Sequence, residues 1–262
     1  MNDDIVNKAT RFAELHQKGR PIILYNIWDA ASAKTVRDAG ARAIATGSWS
    51  VAAAQGYPDG HKIPLDLVEM VVDRIVQSVD LPVTVDFEGA YAEAPEEAAT
   101  NVARIVRLGA IGINFEDQIV GQGGLHPVER QMQRIRAIRA MADDLKVPLF
   151  INARTDLFLN APEASEHAAL VSEAKERAAA YAEAGASAFF VPGLVDEKLI
   201  ADVCASTALP VNVMMLGAAM SLARVAELGV ARVSYGPGPF RTTMAALAEC
   251  ARAIYAKPNP QR

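Results

Sequence analysis

The chain has 262 residues with a formal net charge of −5, and 51% of them are hydrophobic. This is enough apolar material for one large core, so we expect a single domain over residues 1–262. The negative charge offers no basic surface to phosphate or anionic lipid, and no apolar run is long enough to span a bilayer, which excludes nucleic acid and membranes as partners and favours small molecules.

The N-terminal residues and the cysteines indicate the cellular compartment in which we expect the protein. Residues 1–10 include Asp3 and Asp4 and lack the basic start and apolar core of a signal peptide. Cys204 and Cys250 have no companion at a spacing typical of metal or redox sites. We therefore expect a cytoplasmic protein whose two thiols are buried and reduced.

Apolar periodicity divides the chain into alternating helices and strands. Residues 5–15 predict an amphipathic helix, and the apolar run 22–26 predicts the first strand. Asp29 can cap a helix that ends at Gly40, and residues 42–46 predict the second strand. Further helices are predicted near residues 64–79, 96–108, 128–144, 163–184, 196–206, 218–228 and 239–256. The remaining strands are predicted near residues 82–87, 111–116, 147–153, 186–191, 210–214 and 230–235.

This alternation predicts the fold class. Strands that are apolar on both faces and alternate with helices are typical of a parallel sheet covered by helices. About eight such rounds match an α/β protein with a (β/α)₈ TIM barrel. The alternative is an open doubly wound sheet, but no Gly-x-Gly-x-x-Gly turn follows the first strand. Because reactive groups in such barrels lie at the carboxyl ends of strands, the polar residues there are the candidate site.

Carboxylates end two neighbouring strands. Asp86 and Glu88 would project to the same side of the third strand, and Glu116 ends the fourth. Unpaired buried charge is costly, so we expect a cation between them, although a salt-bridged rim is the alternative. Oxygen ligands with few nearby His or Cys favour Mg²⁺, with Mn²⁺ as a substitute. Asp59 could reach the water shell of the metal, but by local chemistry alone its sequence favours a surface turn.

Two further segments are candidates for binding a carboxylate. The guanidinium of Arg154 can take an oxygen pair bidentately, unless it serves as the partner of Asp156 or Glu116. The second segment would offer hydroxyl and backbone N–H groups beside the metal ion, as an enolate site requires. The alternative is that this segment is a plain turn. This second segment is Thr46, Gly47, Ser48 and Trp49. Asn212 would help to shape the pocket around the tail of the substrate.

The segment after the fourth strand predicts a lid. Residues 120–127 are rich in glycine and follow directly on the strand that carries Glu116, so we expect a mobile cover over the site. His126 in this segment could act as an acid or base, but a solvated loop histidine is the simpler interpretation.

Five segments, in order along the chain, resemble the successive signatures of the isocitrate lyase/phosphoenolpyruvate mutase superfamily. They are Ala45–Ser48, Gly56–Asp59, Val85–Tyr91, Gly112–Gln118 and Asn152–Asp156. The resemblance implies an α/β barrel, usually tetrameric, whose last helix is exchanged between subunits. It also implies Mg²⁺ at the strand ends and an α-keto acid or enolpyruvate-like substrate, with C–C or C–P bonds broken or made through an enolate.

The same resemblance implies roles for individual residues. Asp86 would be the direct metal ligand, with Asp59, Glu88 and Glu116 holding coordinating waters. Thr46, Gly47, Ser48, Trp49, Arg154 and Asn212 would bind the substrate, and Arg154, Ser48 and Glu116 are the candidate catalytic residues.

Departures from the family pattern reduce the number of reactions that the protein is expected to catalyse. The lid stretch Gly121–His126 lacks the cysteine of isocitrate and methylisocitrate lyases and the asparagine of phosphoenolpyruvate mutases. What remains resembles the carboxyphosphonoenolpyruvate mutase-like branch, which includes oxaloacetate decarboxylases. We therefore expect an Mg²⁺-dependent lyase of a small α-keto or 2-hydroxy carboxylate. The alternatives are a C–P bond enzyme of the phosphonomutase or phosphonopyruvate hydrolase type, and a barrel that binds a metabolite without turnover.

Overall fold

The computed structural model describes residues 3–215 and 220–256. The strands are β1 (Ile22–Leu24), β2 (Ile44–Ala45), β3 (Val83–Asp86), β4 (Gly112–Glu116), β5 (Phe150–Arg154), β6 (Ala188–Phe190), β7 (Val211–Met214) and β8 (Arg232–Ser234). The helices are α1 (Asp3–Glu14), α2 (Ala30–Asp38), α3 (Ser48–Ala54), α4 (Leu65–Ser78), α5 (Pro95–Arg107), α6 (Val128–Asp144), α7 (His167–Glu183), α8 (Glu197–Ser206), α9 (Leu222–Glu227) and α10 (Gly238–Tyr255).

The eight strands are parallel and neighbour one another in the order β1-β8-β7-β6-β5-β4-β3-β2. The two ends of this sheet meet through one parallel bridge between Ile27 and Thr46. There the Ile27 N–H donates to the Ala45 carbonyl at 2.9 Å, and the Gly47 N–H donates to the Ile27 carbonyl at 3.1 Å. These bonds close the sheet, and the predicted (β/α)₈ barrel is confirmed.

Each predicted strand is present near its expected position, and two helical predictions need correction. The sequence analysis predicts no helix at Ser48, where the short helix α3 begins; its three consecutive alanines favour helix over the plain turn that is the alternative there. The helix expected from residue 163 begins as a 3₁₀ turn over Ala164–Glu166, and the α-helix starts at His167. Residues 218 and 219 of another predicted helix lie outside the described residues.

Helix α1 closes the amino-terminal end of the barrel. Phe12 is fully buried and packs edge-on against Phe150, with ring centroids 5.1 Å apart. His16 stacks on the other side of this contact, 4.1 Å from the Phe150 ring. Small and branched side chains from β1, β2 and β6 complete this inner cluster. The interior is therefore open only at the carboxyl ends of the strands.

A polar layer lies above this inner cluster. Asn114 of β4, Asn152 of β5 and Arg232 of β8 are all buried, and their side chains meet inside the barrel. The Asn114 Oδ1 accepts from Asn152 Nδ2 at 2.8 Å and from Arg232 Nη2 at 2.9 Å. TIM barrels usually fill this level with branched apolar residues, so a charged layer here is a departure from the general packing pattern.

Helix α10 differs from the other long helices because most of its side chains are exposed. Its exposed large residues are Met244, Leu247, Ile254 and Tyr255. Cys250 on this helix is exposed as well, whereas Cys204 on α8 is buried. The prediction of two buried thiols is therefore wrong for Cys250. None of the helices in the described part of the chain combines the length and hydropathy that crossing a membrane requires.

The burial of His16 generates a prediction about stability. Burial, together with the charge of Arg232, lowers the pKa of His16 to about 3. The unfolded chain binds a proton at this residue below about pH 6.5, whereas the folded protein does not, so the free energy of unfolding falls as the pH is lowered. We expect the free energy of unfolding of His16→Gln to lack this pH dependence. The amount by which His16→Gln is less stable than wild type should therefore shrink by about 2 kcal/mol between pH 6.5 and 5.

Urea denaturation of both proteins at the two pH values measures this difference. The comparison cancels the titration of every group that the two proteins share. An equal change in both proteins would contradict a neutral, buried His16.

Candidate active site

A cavity of about 200 Å³ opens at the carboxyl end of the barrel. Sites for drug-sized ligands are typically larger, about 300–1,000 Å³, so this one suits a small molecule. Six of the residues predicted from the sequence line it, and they come from four different stretches of the chain. These residues are Gly47, Ser48, Trp49, Asp59, Asp86 and Arg154.

Asp86 stands at the end of β3 and is held by donors on both carboxylate oxygens. Its Oδ2 accepts from the Ser48 N–H at 3.0 Å and from the Ser48 hydroxyl at 2.9 Å. Its Oδ1 accepts from Asn114 Nδ2 at 3.1 Å. The Asp86 N–H donates to the Thr46 hydroxyl at 2.9 Å, so Thr46 is buried behind the cavity as a support. These contacts fix the direction in which Asp86 faces the cavity.

The guanidinium of Arg154 is surrounded by carboxylates. Its Nε and Nη2 donate to the two oxygens of Asp156 at 2.5 and 2.8 Å. Its Nη1 lies 3.0 Å from Glu116 Oε2 and 3.8 Å from Asp86 Oδ1. Burial acts to lower the pKa of Arg154, but the charges of Glu116 and Asp156 outweigh it and raise that pKa well above its ordinary value. Arg154 therefore stays charged, and it pairs with Asp156 and Glu116 while lining the cavity.

Three of the predicted metal-site acids share a raised pKa. Burial raises the pKa of Glu88 to about 8, and the charge of Asp59 adds to this effect. Burial likewise raises the pKa of Glu116 well above its ordinary value. The pKa of Asp59 is raised by burial and by the charge of Asp86. Burial and the neighbouring carboxyl groups thus favour the protonated form of these acids, and the charge of Arg154 does not offset this effect.

Glu88 and Glu116 approach the site from behind its walls. The Glu88 Oε2 accepts from the backbone N–H of His61 at 2.8 Å, and the side chain is 5% exposed. Asn212 is also withdrawn, since it is buried and exchanges 3.2 Å hydrogen bonds with the Ser234 hydroxyl. Ser234 rather than Asn212 is among the described residues that line the cavity.

His61 is a residue that the sequence analysis missed. Its Nε2 accepts from the backbone N–H groups of Gly89 at 3.1 Å and Tyr91 at 3.4 Å, and its ring stacks on Tyr91 at 4.4 Å. Burial lowers the pKa of His61 to about 4, which keeps this acceptor nitrogen unprotonated. Glu88, Ala90 and Tyr91 have φ of 49°, 59° and 57°, a left-handed backbone that non-glycine residues rarely adopt. His61 therefore stabilises a strained loop that carries Glu88.

Asn114 and Arg232 were missed as well. Since Asn114 uses its Oδ1 to accept from Asn152 and Arg232, its amide nitrogen faces Asp86. Burial lowers the pKa of Arg232 to about 9, although the charge of Asp86 opposes this effect. The sequence offered no signal for this contact, because Arg232 lies 118 residues from Asn114 and occupies a strand position that is usually apolar.

The predicted lid has a defined structure in the described chain. Gln118 and Leu125 form an antiparallel bridge, and Gly121, Gly123 and Gly124 adopt left-handed φ between them. His126 is 6% exposed rather than solvated, and burial lowers its pKa to about 4. It lines a separate cleft and not the cavity that Asp86 faces.

The side chains at the mouth of the barrel determine which metal ion the site could bind. Within residues 3–215 and 220–256, no three His, Cys, Asp or Glu side chains are arranged to hold an ion together. The cavity instead presents two carboxylates, Asp59 and Asp86, and burial together with the charge of Asp86 raises the pKa of Asp59. Hard oxygen donors, excess negative charge and room for water fit a largely hydrated Mg²⁺ or Mn²⁺ with few direct protein ligands.

Comparisons with known proteins agree with this geometry. The model of the phosphoenolpyruvate phosphomutase family matches residues 12–255. An uncharacterized protein of Mycobacterium tuberculosis (strain H37Rv) is 32% identical over 243 residues, covering 93% of this chain and 88% of its own. The 2-methylisocitrate lyase of Escherichia coli K12 is 29% identical over 209 residues, covering 77% of this chain and 68% of its own.

A solved structure from Burkholderia cenocepacia J2315, provisionally assigned as a phosphonomutase, is 46% identical with a TM-score of 0.92. It covers 95% of this chain and 99% of its own. The fold and the acidic cavity thus define a barrel of the isocitrate lyase/phosphoenolpyruvate mutase superfamily, whose members are lyases or mutases. Within it, the chain belongs to the phosphoenolpyruvate phosphomutase family.

The raised pKa of Glu88 generates a prediction. With chelator present, the folded protein binds more protons at Glu88 than the unfolded chain between about pH 4.5 and pH 8, so the free energy of unfolding falls as the pH rises through this window. We expect Glu88→Gln to be more stable than wild type by about 1–3 kcal/mol at pH 8, and similar at pH 4.5.

Chemical denaturation in EDTA measures the effect, with exposed Glu14→Gln as the matched control that shows no such gain. A Glu88→Gln protein that is less stable than wild type at both pH values would count against a strained, functional carboxyl.

Proposed function

We propose that this protein is an Mg²⁺-dependent lyase that acts on a small α-keto or 2-hydroxy carboxylate through an enolate, by C–C cleavage or decarboxylation of an oxaloacetate-like acid. The observation that carries the proposal is the position of Asp86. Its carboxylate lines a small cavity, is oriented by Ser48 and Asn114, and lies 3.8 Å from the Arg154 guanidinium.

The proposed metal site uses the acids at the strand ends. Asp86 would hold Mg²⁺ directly, while Asp59, Glu88 and Glu116 would hold its water molecules. The raised pKa values of these three acids support the assignment, because a divalent cation nearby would offset the burial and the repulsion that raise them. When bound, the ion supplies a Lewis acid that polarises a substrate oxygen.

The residues of the chain would bind and orient the substrate. Gly47, Ser48 and Trp49 form one wall and would receive a carboxylate or enolate oxygen through N–H and hydroxyl groups. Arg154 stands across the cavity with its charge secured by Asp156, so it would stabilise negative charge that develops during bond cleavage. Glu116, beside Arg154 in the register of β4 and β5, fixes the third guanidinium nitrogen.

A C–P bond reaction is the second candidate. The similarity to a structure provisionally assigned as a phosphonomutase favours it. The same groups would serve, because phosphonopyruvate also offers a keto oxygen and a carboxylate. Phosphorus NMR of phosphonopyruvate incubated with the protein and Mg²⁺ separates the two reactions.

The first test of the proposal is turnover. Purified protein should release pyruvate from oxaloacetate or a related acid with Mg²⁺, and chelator should stop it. Asp86→Ala should reduce kcat/KM by about a thousandfold or more, since a metal ligand is lost, while Ala at the exposed Asp80 should leave it unchanged. Undiminished activity of Asp86→Ala would refute the site, and no turnover of any keto acid or phosphonate would favour metabolite binding alone.

We also propose that α10 packs on a second copy of the chain, as expected for a tetramer with exchanged helices. Met244, Leu247 and Ile254 share one face of α10 and are 37%, 61% and 61% exposed. A groove on the outside of the barrel is correspondingly uncovered and largely apolar. Its lining includes Pro21, Ile23, Tyr25, Val36 and Ala41.

The assembly has its own test. We expect the double variant Leu247→Glu, Ile254→Glu to dissociate the oligomer, because two charges would have to be buried in an apolar interface. Light scattering coupled to size exclusion measures the mass. Glu249→Lys, a polar change on the same helix, is the control that should leave the mass unaltered, and a monomeric wild-type protein would contradict the proposal.

A further inference from the structure

The cavity has two unlike halves. The half that contains Asp59, Asp86 and Arg154 is charged, and the opposite half is built from apolar side chains. The apolar half consists of Leu159, Phe190, Pro192, Met214 and Pro237.

The polar atoms near the apolar half already have partners. Asn26 donates through Nδ2 to the Thr46 carbonyl at 2.8 Å, and its Oδ1 accepts from the N–H groups of Tyr235 and Gly236 at 2.8 and 2.9 Å. The Ser234 hydroxyl is paired with Asn212. Neither side chain carries a charge that could neutralise a charged group of a ligand.

The charges in the described lining leave nothing for a second anion. Arg154 is the one cation among the cavity residues that the structure describes, and Asp156 and Glu116 hold it. A substrate whose head lies against Asp86 would place its tail against Leu159, Phe190 and Met214. A carboxylate kept in that position would be desolvated without a partner, which is costly.

We infer that the site takes small 2-oxo or 2-hydroxy acids whose tail is uncharged, and discriminates against acids that retain a charge on the tail. The inference rests on the proposed function and names the substrate class of the same site. The volume of about 200 Å³ limits the tail to a short chain.

The inference also bears on the reaction. A tail carboxylate is accommodated where the reaction removes it, as in decarboxylation of oxaloacetate. The C3–C4 bond breaks, the carboxylate leaves as neutral CO₂, its bonding electron pair passes into the enolate of pyruvate, and water supplies the proton at C3. The apolar half then contacts a neutral product, whereas a hydrolytic reaction would leave a new anion there.

A matched pair of ligands tests the inference. 2-Oxopentanoate and 2-oxoglutarate have the same five-carbon chain and differ in the charge of the tail. Their dissociation constants with Mg²⁺ are measured by calorimetry, with oxalate, a two-oxygen chelator without a tail, as the reference. We expect 2-oxopentanoate to bind about tenfold or more tightly than 2-oxoglutarate. Equal affinities, or tighter binding of 2-oxoglutarate, would overturn the inference while leaving the proposed function intact.

A positive charge introduced into the apolar half provides a second test of the inference. Leu159 is 40% exposed, so an arginine can be accommodated there without burying its charge in the core. We expect Leu159→Arg to tighten 2-oxoglutarate about tenfold and to leave the affinity for oxalate within about twofold. Leu159→Gln, of similar length and neutral, is the matched control that should not favour 2-oxoglutarate. Failure of Leu159→Arg to alter the preference would contradict the inference, and failure of oxalate itself to bind would overturn the proposed function and this inference with it.

Discussion

Five carboxyl groups surround the guanidinium of Arg154 at the open end of the barrel, and this imbalance of charge is the constraint on which the site depends. Asp156 and Glu116 neutralise the cation directly, and Asp86 lies 3.8 Å from it. In the described part of the chain, Asp59 and Glu88 have no cation in direct contact, and burial together with the neighbouring carboxylates raises the pKa of both. A fold tolerates such repulsion only where surrounding contacts over-determine it, and such sites are typically functional.

The surrounding structure supplies those contacts. From below, Arg232 and Asn152 orient the Asn114 amide, and that amide in turn orients Asp86. From the side, His61 accepts two backbone N–H groups of the loop that carries Glu88. At the opposite end, α1 seals the barrel with aromatic packing, so water and ligand enter only where the acids lie. Polar residues therefore extend along the barrel interior from the buried layer that contains Arg232 to the carboxyl groups at the open end.

Much of the fold follows from local patterns that are visible in the sequence. Short apolar strands alternating with amphipathic helices determine the barrel, and the placement of Asp86 and Glu116 at strand ends follows from the same alternation. Which side chains contact one another does not follow from these local patterns. Glu116 meets Arg154, and Asp86 meets Asn114, because parallel register sets them side by side. Arg232 and His61 reach their partners across the barrel or between loops, and no sequence spacing encodes such contacts. Asn212 is buried and bonded to Ser234, and a strand pattern does not determine which residue near a strand end reaches the cavity.

Membership of a family of lyases and mutases and the geometry of the mouth both support the proposed chemistry, in which an oxyanion would be stabilised beside a hydrated dication. The most direct test is a crystal structure of the wild-type protein grown with Mg²⁺ and oxalate, a two-oxygen chelator. The account predicts electron density for the ion against Asp86, with oxalate between it and the Ser48–Trp49 segment. A cavity without either ligand at saturating concentrations, with Asp86 still bound only to protein donors, would contradict it.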